Sequence, residues 1–173
     1  MKFLTGVLLA ITILVSGCSN NNGSITTVNE PQVQVPRINI VSKVTHLSKN
    51  EFERVGTQRI QDPKVDDFRN LTLKIEIANG KNVTRKELVV PSTIEFRQIL
   101  TSDRLWFGNE AYQNNENQEL SFAERNYVLY YRELTDDKLK ELLSPIEFHI
   151  SWVNINGDKT SMDYKLVDYL VFE

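Results

Sequence analysis

The sequence feature that most restricts how this chain can fold is a repeated alternation of apolar and polar residues. Apolar side chains occupy every second position from Leu71 to Ile77, and the same period recurs at 38–44, 127–131 and 146–152. A period of two places the apolar side chains on one face of a strand, where they can be buried while the other face stays in water. Several short strands of this kind, separated by turn residues, predict a mainly β fold.

The strand positions follow from this alternation and from the turn residues between the strands. The predicted strands cover residues 38–47, 71–78, 83–90, 94–99, 127–132, 146–153 and 160–172. Asn79-Gly80 is a hairpin signal, so we expect 83–90 to pair back on the strand before it. The polar stretch Asn109–Glu119 contains nothing that can fill a core, and we expect it to be a surface loop.

One helix is predicted, at 135–143. Thr135 can accept hydrogen bonds from the first free N–H groups, Asp136 and Asp137 lie at the positive end of the helix dipole, and Pro145 follows the last turn. The whole pattern resembles the immunoglobulin-like domains of bacterial surface proteins. This resemblance implies an antiparallel β-sandwich of about seven strands with one short helix near 135–143. A small α+β domain is the alternative.

The N-terminal segment has the regions of an export signal. Lys2 provides a positive charge, and the apolar run from Phe3 to Val15 is shorter than the roughly twenty residues that a membrane-spanning helix needs. The run ends in Val15-Ser16-Gly17-Cys18, which resembles the lipobox of bacterial lipoproteins. That resemblance implies that the Cys18 thiol receives a diacylglycerol and that the chain is cut between Gly17 and Cys18.

The resemblance divides the chain into a signal peptide (1–17), a lipidated cysteine with a flexible tether (18–36) and a folded domain (37–173). The tether is rich in polar residues and cannot bury enough apolar surface to offset its ordering entropy. Because two acyl chains anchor a protein stably, we expect lipid anchoring to the cell membrane, on its extracytoplasmic face. The abundance of Asn, Lys and Ile indicates an AT-rich genome and favours a Gram-positive cell.

Charge and cysteine content narrow the range of partners. The chain has 20 basic and 23 acidic residues, and losing Lys2 with the signal peptide leaves a net charge of −4. A mildly acidic chain without a Lys/Arg cluster argues against nucleic acid as a partner. Cys18 is the only cysteine, so no disulfide can form within the chain.

Motifs for catalysis or for metal or cofactor binding are absent from the sequence. The single thiol is at the lipidation position, and there is no Gly-x-Ser-x-Gly elbow and no Gly-rich phosphate loop. His46 and His149 lie on polar faces or ends of two distant predicted strands, and the adjacent acidic pairs lack the spacing of a calcium loop. We therefore predict no catalytic, metal or cofactor site.

Aromatic residues are the best candidates for a binding surface. Trp106, Phe107 and Tyr112 lie beside the longest polar stretch, where exposed rings can form a platform for sugar, peptide or protein. Regular alternation predicts that either Trp106 or Phe107 faces the core. We expect a non-catalytic binding or structural domain with a protein or polysaccharide partner in the cell envelope. The alternatives are an extracytoplasmic inhibitor or sensor domain, and an envelope hydrolase that uses scattered carboxylates.

Overall fold

The elements of the fold are defined by a computed structural model, which describes residues 35–78, 83–101, 103–113 and 119–173. The predicted signal peptide, the predicted lipobox and nearly all of the predicted tether lie outside these residues. The described residues form eight strands and three α-helices: β1 (Arg37–His46), α1 (Lys49–Phe52), β2 (Phe68–Ala78), β3 (Val83–Val89), α2 (Thr93–Leu100), β4 (Leu105–Gln113), β5 (Leu120–Tyr130), α3 (Asp136–Leu143), β6 (Glu147–Asn154), β7 (Lys159–Lys165) and β8 (Leu170–Phe172).

The larger sheet is built around β2, which is paired along both of its edges. The strand order is β4-β5-β2-β1-β8. β2 runs antiparallel to β1 on one side and to β5 on the other, while β8 runs parallel to β1. The apolar positions of β2 are fully buried (Leu71, Leu73, Ile75 and Ile77). The alternation from which β2 was predicted is therefore the buried face of the central strand.

The smaller sheet has the order β3-β6-β7, and both of its pairings are antiparallel. Its central strand, β6, buries Phe148, Ile150 and Trp152. In the described part of the chain, the strand sequence changes sheet four times. α2 lies in the crossing from β3 to β4, and α3 lies in the crossing from β5 to β6.

One main core lies between the sheets, and both longer helices contribute to it. It combines the inward residues of β2, β5, β3 and β6 with Phe96 and Leu100 of α2 and with Leu139 and Leu143 of α3. This arrangement confirms the predicted mainly β fold of two sheets, in a sandwich-like form. The predicted helix near 135–143 is also confirmed, with Thr135 accepting a hydrogen bond from Lys138 N.

The predicted strand at 94–99 is wrong, because these residues belong to α2. Glu95 N–H donates to Ser92 Oγ at 3.4 Å, and Ser92 N–H donates to Glu95 Oε2 at 2.7 Å. This pair of bonds is a capping box, which satisfies two of the free N–H groups at a helix start. Phe96 and Leu100 are four positions apart and both are buried, so the helical period describes this segment better than the alternation does.

Two predicted connections also differ from the structure. β3 does not pair with β2 but with β6, in the other sheet; the predicted turn at Asn79-Gly80 lies outside the described residues. The predicted surface loop at 109–119 is a strand in its first half, because β4 continues to Gln113 and pairs with β5. β4 is an edge strand with mostly exposed residues, so it lacks the apolar alternation that reveals a strand.

We predict that Ser92→Ala lowers the free energy of unfolding by about 1 kcal/mol, the usual cost of losing an N-cap side chain. Ser48→Ala is the matched comparison, since Ser48 forms the same capping box with Glu51. We expect a smaller loss there, because α1 contains no buried residue. Urea unfolding of the full chain measures both values, and equal losses would contradict the role of α2 in the core.

Candidate functional site

The candidate site lies beside a small second core. This second core is on the outer face of the larger sheet, the face turned away from the main core. Segment 47–67 folds back over this face and packs its apolar residues against Phe68 and Val128. Trp106 packs against the same cluster, and its Nε1–H donates to Gly56 O at 3.1 Å. Trp106 therefore holds segment 47–67 against the sheet.

A β-bulge in β4 places Trp106 and Phe107 on this outer side. Leu105 pairs with Leu129, but Phe107 pairs with the next residue, Val128, so Trp106 is an extra residue that interrupts the alternation. Regular alternation would place the two side chains on opposite faces of β4, whereas the bulge leaves both on the outer side, where Trp106 packs against the second core. Trp106 is half-buried in the second core, and Phe107 is 44% exposed.

Phe107 lines a groove of about 430 Å³, here called the outer groove, between segment 47–67 and strands β2, β4 and β5. The other lining residues are Glu51, Arg54, Asn70, Gly108, Asn109, Asn126, Tyr127 and Val128. Its volume lies within the range of roughly 300–1,000 Å³ that is typical of small-molecule sites. The lining combines one exposed aromatic ring with three amides, one carboxylate and one guanidinium.

Glu51 is fixed at the rim of the outer groove by hydrogen bonds. Its Oε2 accepts from Ser48 N at 2.7 Å and from Ser48 Oγ at 2.6 Å, and its Oε1 accepts from Asn70 Nδ2 at 3.1 Å. The bonds from Ser48 are the main cause of a lowered Glu51 pKa, and the bond from Asn70 and the nearby Arg54 guanidinium lower it further. The groove therefore has a fixed negative charge beside a cationic side chain.

Asn126 is oriented by two hydrogen bonds within the larger sheet. Thr72 Oγ1 donates to Asn126 Oδ1 at 3.0 Å, and Asn126 Nδ2 donates to Glu124 Oε1 at 2.6 Å. A side-chain amide has two N–H donors and two acceptor lone pairs, and these bonds use one of each. Asn126 can therefore still donate to, and accept from, a molecule in the groove.

Tyr112 lies on the opposite face of β4 and has a different role. It pairs with Ala123, a residue of the main core, and its hydroxyl donates to Leu88 O of β3. Tyr112 thus links the edges of the two sheets. The three aromatic residues predicted as one binding surface are therefore separated: Phe107 lines the outer groove, Trp106 fixes its wall, and Tyr112 joins the sheets.

The remaining predicted site residues, Gly17 and Cys18, lie outside the described residues. Within residues 35–173 as described, no helix has both the length and the apolar character needed to cross a bilayer. The same residues contain no group of three or more His, Cys, Asp and Glu side chains placed to hold a metal ion. His46 lies 3.9 Å from Asp66, and both side chains are exposed.

A row of three polar side chains on the outer face of the smaller sheet is not predicted by the sequence. His149 Nδ1 lies 2.6 Å from Asp163 Oδ1, and His149 Nε2 lies 2.8 Å from Ser161 Oγ. His149 is on β6, and the other two residues are two positions apart on β7. The signal that points to this row is the hairpin turn at Asn156-Gly157, which folds β7 back on β6.

Comparison with known proteins adds no relative: the chain matches no protein-family model, no curated protein and no solved structure.

We predict that Gly108→Ala lowers the free energy of unfolding by about 1–3 kcal/mol, the usual cost of overpacking. A Cβ at Gly108 would lie 2.2 Å from Tyr127 Cδ1 and 2.5 Å from Asn126 O. The carbonyl cannot move away without disturbing the pairing of β4 with β5. Gly56→Ala is the matched control, because its nearest neighbour is a Gln58 side-chain atom at 3.3 Å. Thermal unfolding measures both, and equal stabilities would contradict the tight fit at Gly108.

Proposed function

We propose that the chain is a membrane-anchored bacterial surface lipoprotein whose domain binds a saccharide of the cell envelope in the outer groove. A diacylglycerol on Cys18 holds it at the extracytoplasmic face of the cell membrane. The proposal for binding rests above all on Phe107, a residue that is 44% exposed in a groove whose lining also includes three amides and two charged side chains.

The lining of the outer groove complements the surface of a sugar ring. A pyranose has apolar C–H faces surrounded by hydroxyl groups. The Phe107 ring can cover an apolar face and bury it from water, which contributes roughly 25 cal/mol per Å². The amides of Asn70, Asn109 and Asn126 offer donors and acceptors to hydroxyl groups, which also act as both.

Size and charge favour a saccharide over other ligand classes. The outer groove, at about 430 Å³, has the size of a small-molecule site, and a few sugar residues are ligands of that size. The net charge of −4 for residues 18–173 and the fixed Glu51 carboxylate disfavour a polyanion.

The anchoring part of the proposal predicts that Cys18→Ala moves the protein from the membrane fraction to the soluble fraction of the bacteria that express it. The reason is the loss of the acyl chains, each of whose buried CH₂ groups contributes about 0.8 kcal/mol. Ser16→Ala is the matched control, because alanine keeps a small residue before the cut. Immunoblots of the two fractions measure the distribution. Retention of Cys18→Ala in the membrane would refute the anchoring.

The binding part predicts that Phe107→Ala weakens binding to bacterial cell walls by about tenfold or more, since burying a phenylalanine ring contributes about 1.5–3 kcal/mol. The assay is co-sedimentation of the detergent-solubilised full chain with purified wall sacculi that retain their polysaccharide. Phe122→Ala is the matched control, because Phe122 lies on β5 outside the lining of the groove. Equal binding by wild type and Phe107→Ala would show that the groove is not the saccharide site.

A further inference from the structure

We propose that Ser161, His149 and Asp163 form a second site, one that hydrolyses short carboxylic esters. The row has the atom pairing of a Ser-His-Asp triad: Nε2 of the imidazole meets the serine hydroxyl at 2.8 Å, and Nδ1 meets the carboxylate at 2.6 Å. Such triads are recognised by geometry and roles rather than by their order in the chain. This site is independent of the outer groove and of saccharide binding.

The hydrogen-bond chemistry of the row assigns each group a role. An aspartate can only accept, so His149 Nδ1–H donates to Asp163. In the neutral ring, Nε2 is then an acceptor, and it faces the Ser161 hydroxyl. The imidazole is therefore oriented to take the hydroxyl proton, as a general base must be to activate a serine.

The ladder between β6 and β7 brings these side chains together. Backbone bonds mark its two ends, from Asn154 N to Asp158 O at 3.0 Å and from Leu166 N to Ile146 O at 2.9 Å. Hydrogen-bonded and non-hydrogen-bonded pairs alternate in an antiparallel ladder. Counting from either end, the pair His149–Asp163 is non-hydrogen-bonded. Side chains lie closest at such pairs.

The same alternation directs the backbone N–H of Ser161 away from β6. Ser161 pairs with Ser151 at another non-hydrogen-bonded position. Among the described strands, β7 pairs only with β6, so the Ser161 N–H points to an open sheet edge. In Ser-His-Asp hydrolases the nucleophile's own N–H is one of the donors to the oxyanion. The Ser161 N–H can serve the same purpose for an ester that approaches from this edge.

The reaction needs only an ester and water. Ser161 Oγ bonds to the ester carbonyl carbon while its proton passes to His149 Nε2. The bond from carbon to the alcohol oxygen then breaks, and the alcohol leaves with the proton from Nε2. Water attacks the acyl-Ser161, gives a proton to Nε2, and releases the carboxylic acid as the proton returns to Oγ. No electron is gained or lost, and the site is regenerated.

The exposure of the row indicates the substrate class and the rate. The side chains of His149 and Asp163 are 35% and 73% exposed, and Ser161 is exposed. A small pocket of about 170 Å³ adjoins His149 and Asp163, below the roughly 300–1,000 Å³ of a typical small-molecule site. The row therefore suits a short acyl ester, such as an acetate, attached to a polymer that lies outside the pocket. Because water competes for Asp163, we expect slower turnover than in an enclosed triad.

The test treats the detergent-solubilised full chain with p-nitrophenyl acetate and, separately, with a fluorophosphonate that labels activated serines. We expect acetate release and a label on Ser161, located by peptide mass spectrometry. Ser161→Ala should lose both. His149→Gln should label at least tenfold more slowly, since a general base contributes about 10²–10⁴-fold. Asp163→Asn should also slow labelling, because the asparagine no longer holds the required tautomer.

Ser151→Ala is the matched control. Ser151 lies directly opposite Ser161 but is hydrogen-bonded to Glu87, at 3.3 Å, rather than to His149, so its loss should leave the labelling rate within about twofold. Urea unfolding shows which variants are folded. His149→Gln and Asp163→Asn test the row independently of each other, so one of them suffices if the other does not fold. An unlabelled Ser161, or equal labelling of wild type and His149→Gln, would overturn the proposal and leave the row as a structural contact between strands.

Discussion

Pairing of β2 on both edges is the constraint on which the rest of the domain depends. Each buried backbone N–H and C=O needs a partner, and β2 finds its partners in β1 and β5 along nearly its whole length. Its inward leucine and isoleucine side chains are at the centre of the main core. Its outward side supports the second core through Phe68, and this core holds the wall of the outer groove. The position of the outer groove therefore depends on β2.

The sequence predicted those strands that have one buried and one exposed face, because only such strands show an alternation of apolar and polar residues. β2 and β6 show a clear alternation because one side is in the core and the other is not. β4 is exposed on most of its length, so its residues carry no such pattern. In α2, the alternation that begins with Ile94 and Phe96 misled, whereas the Ser92-x-x-Glu95 spacing was the better signal.

The candidate sites were harder to predict because both depend on strand register, which a shift of one residue along a strand would change. One extra residue at Trp106 decides which aromatic side chains meet on the outer face of the larger sheet. In the hairpin of β6 and β7, moving the register by one residue would place His149 opposite Tyr164 instead of Asp163. Turn residues show where a hairpin lies, but they do not determine which residues of its two strands are paired. The sequence therefore predicted the positions of the strands better than it predicted which side chains become neighbours.

The place of β1 in the larger sheet has a mechanical consequence for a tethered protein. β1 is the first strand among the described residues, and it lies between β2 and β8 rather than at an edge. Ten residue pairs join it to β2, from Arg37–Ala78 to His46–Arg69. A pull along β1 loads these pairs together in shear, so they resist as a group. An edge strand pulled sideways would instead open one pair at a time. Under the proposed anchoring, force from the membrane would enter the fold through this strand, which is paired along its whole length.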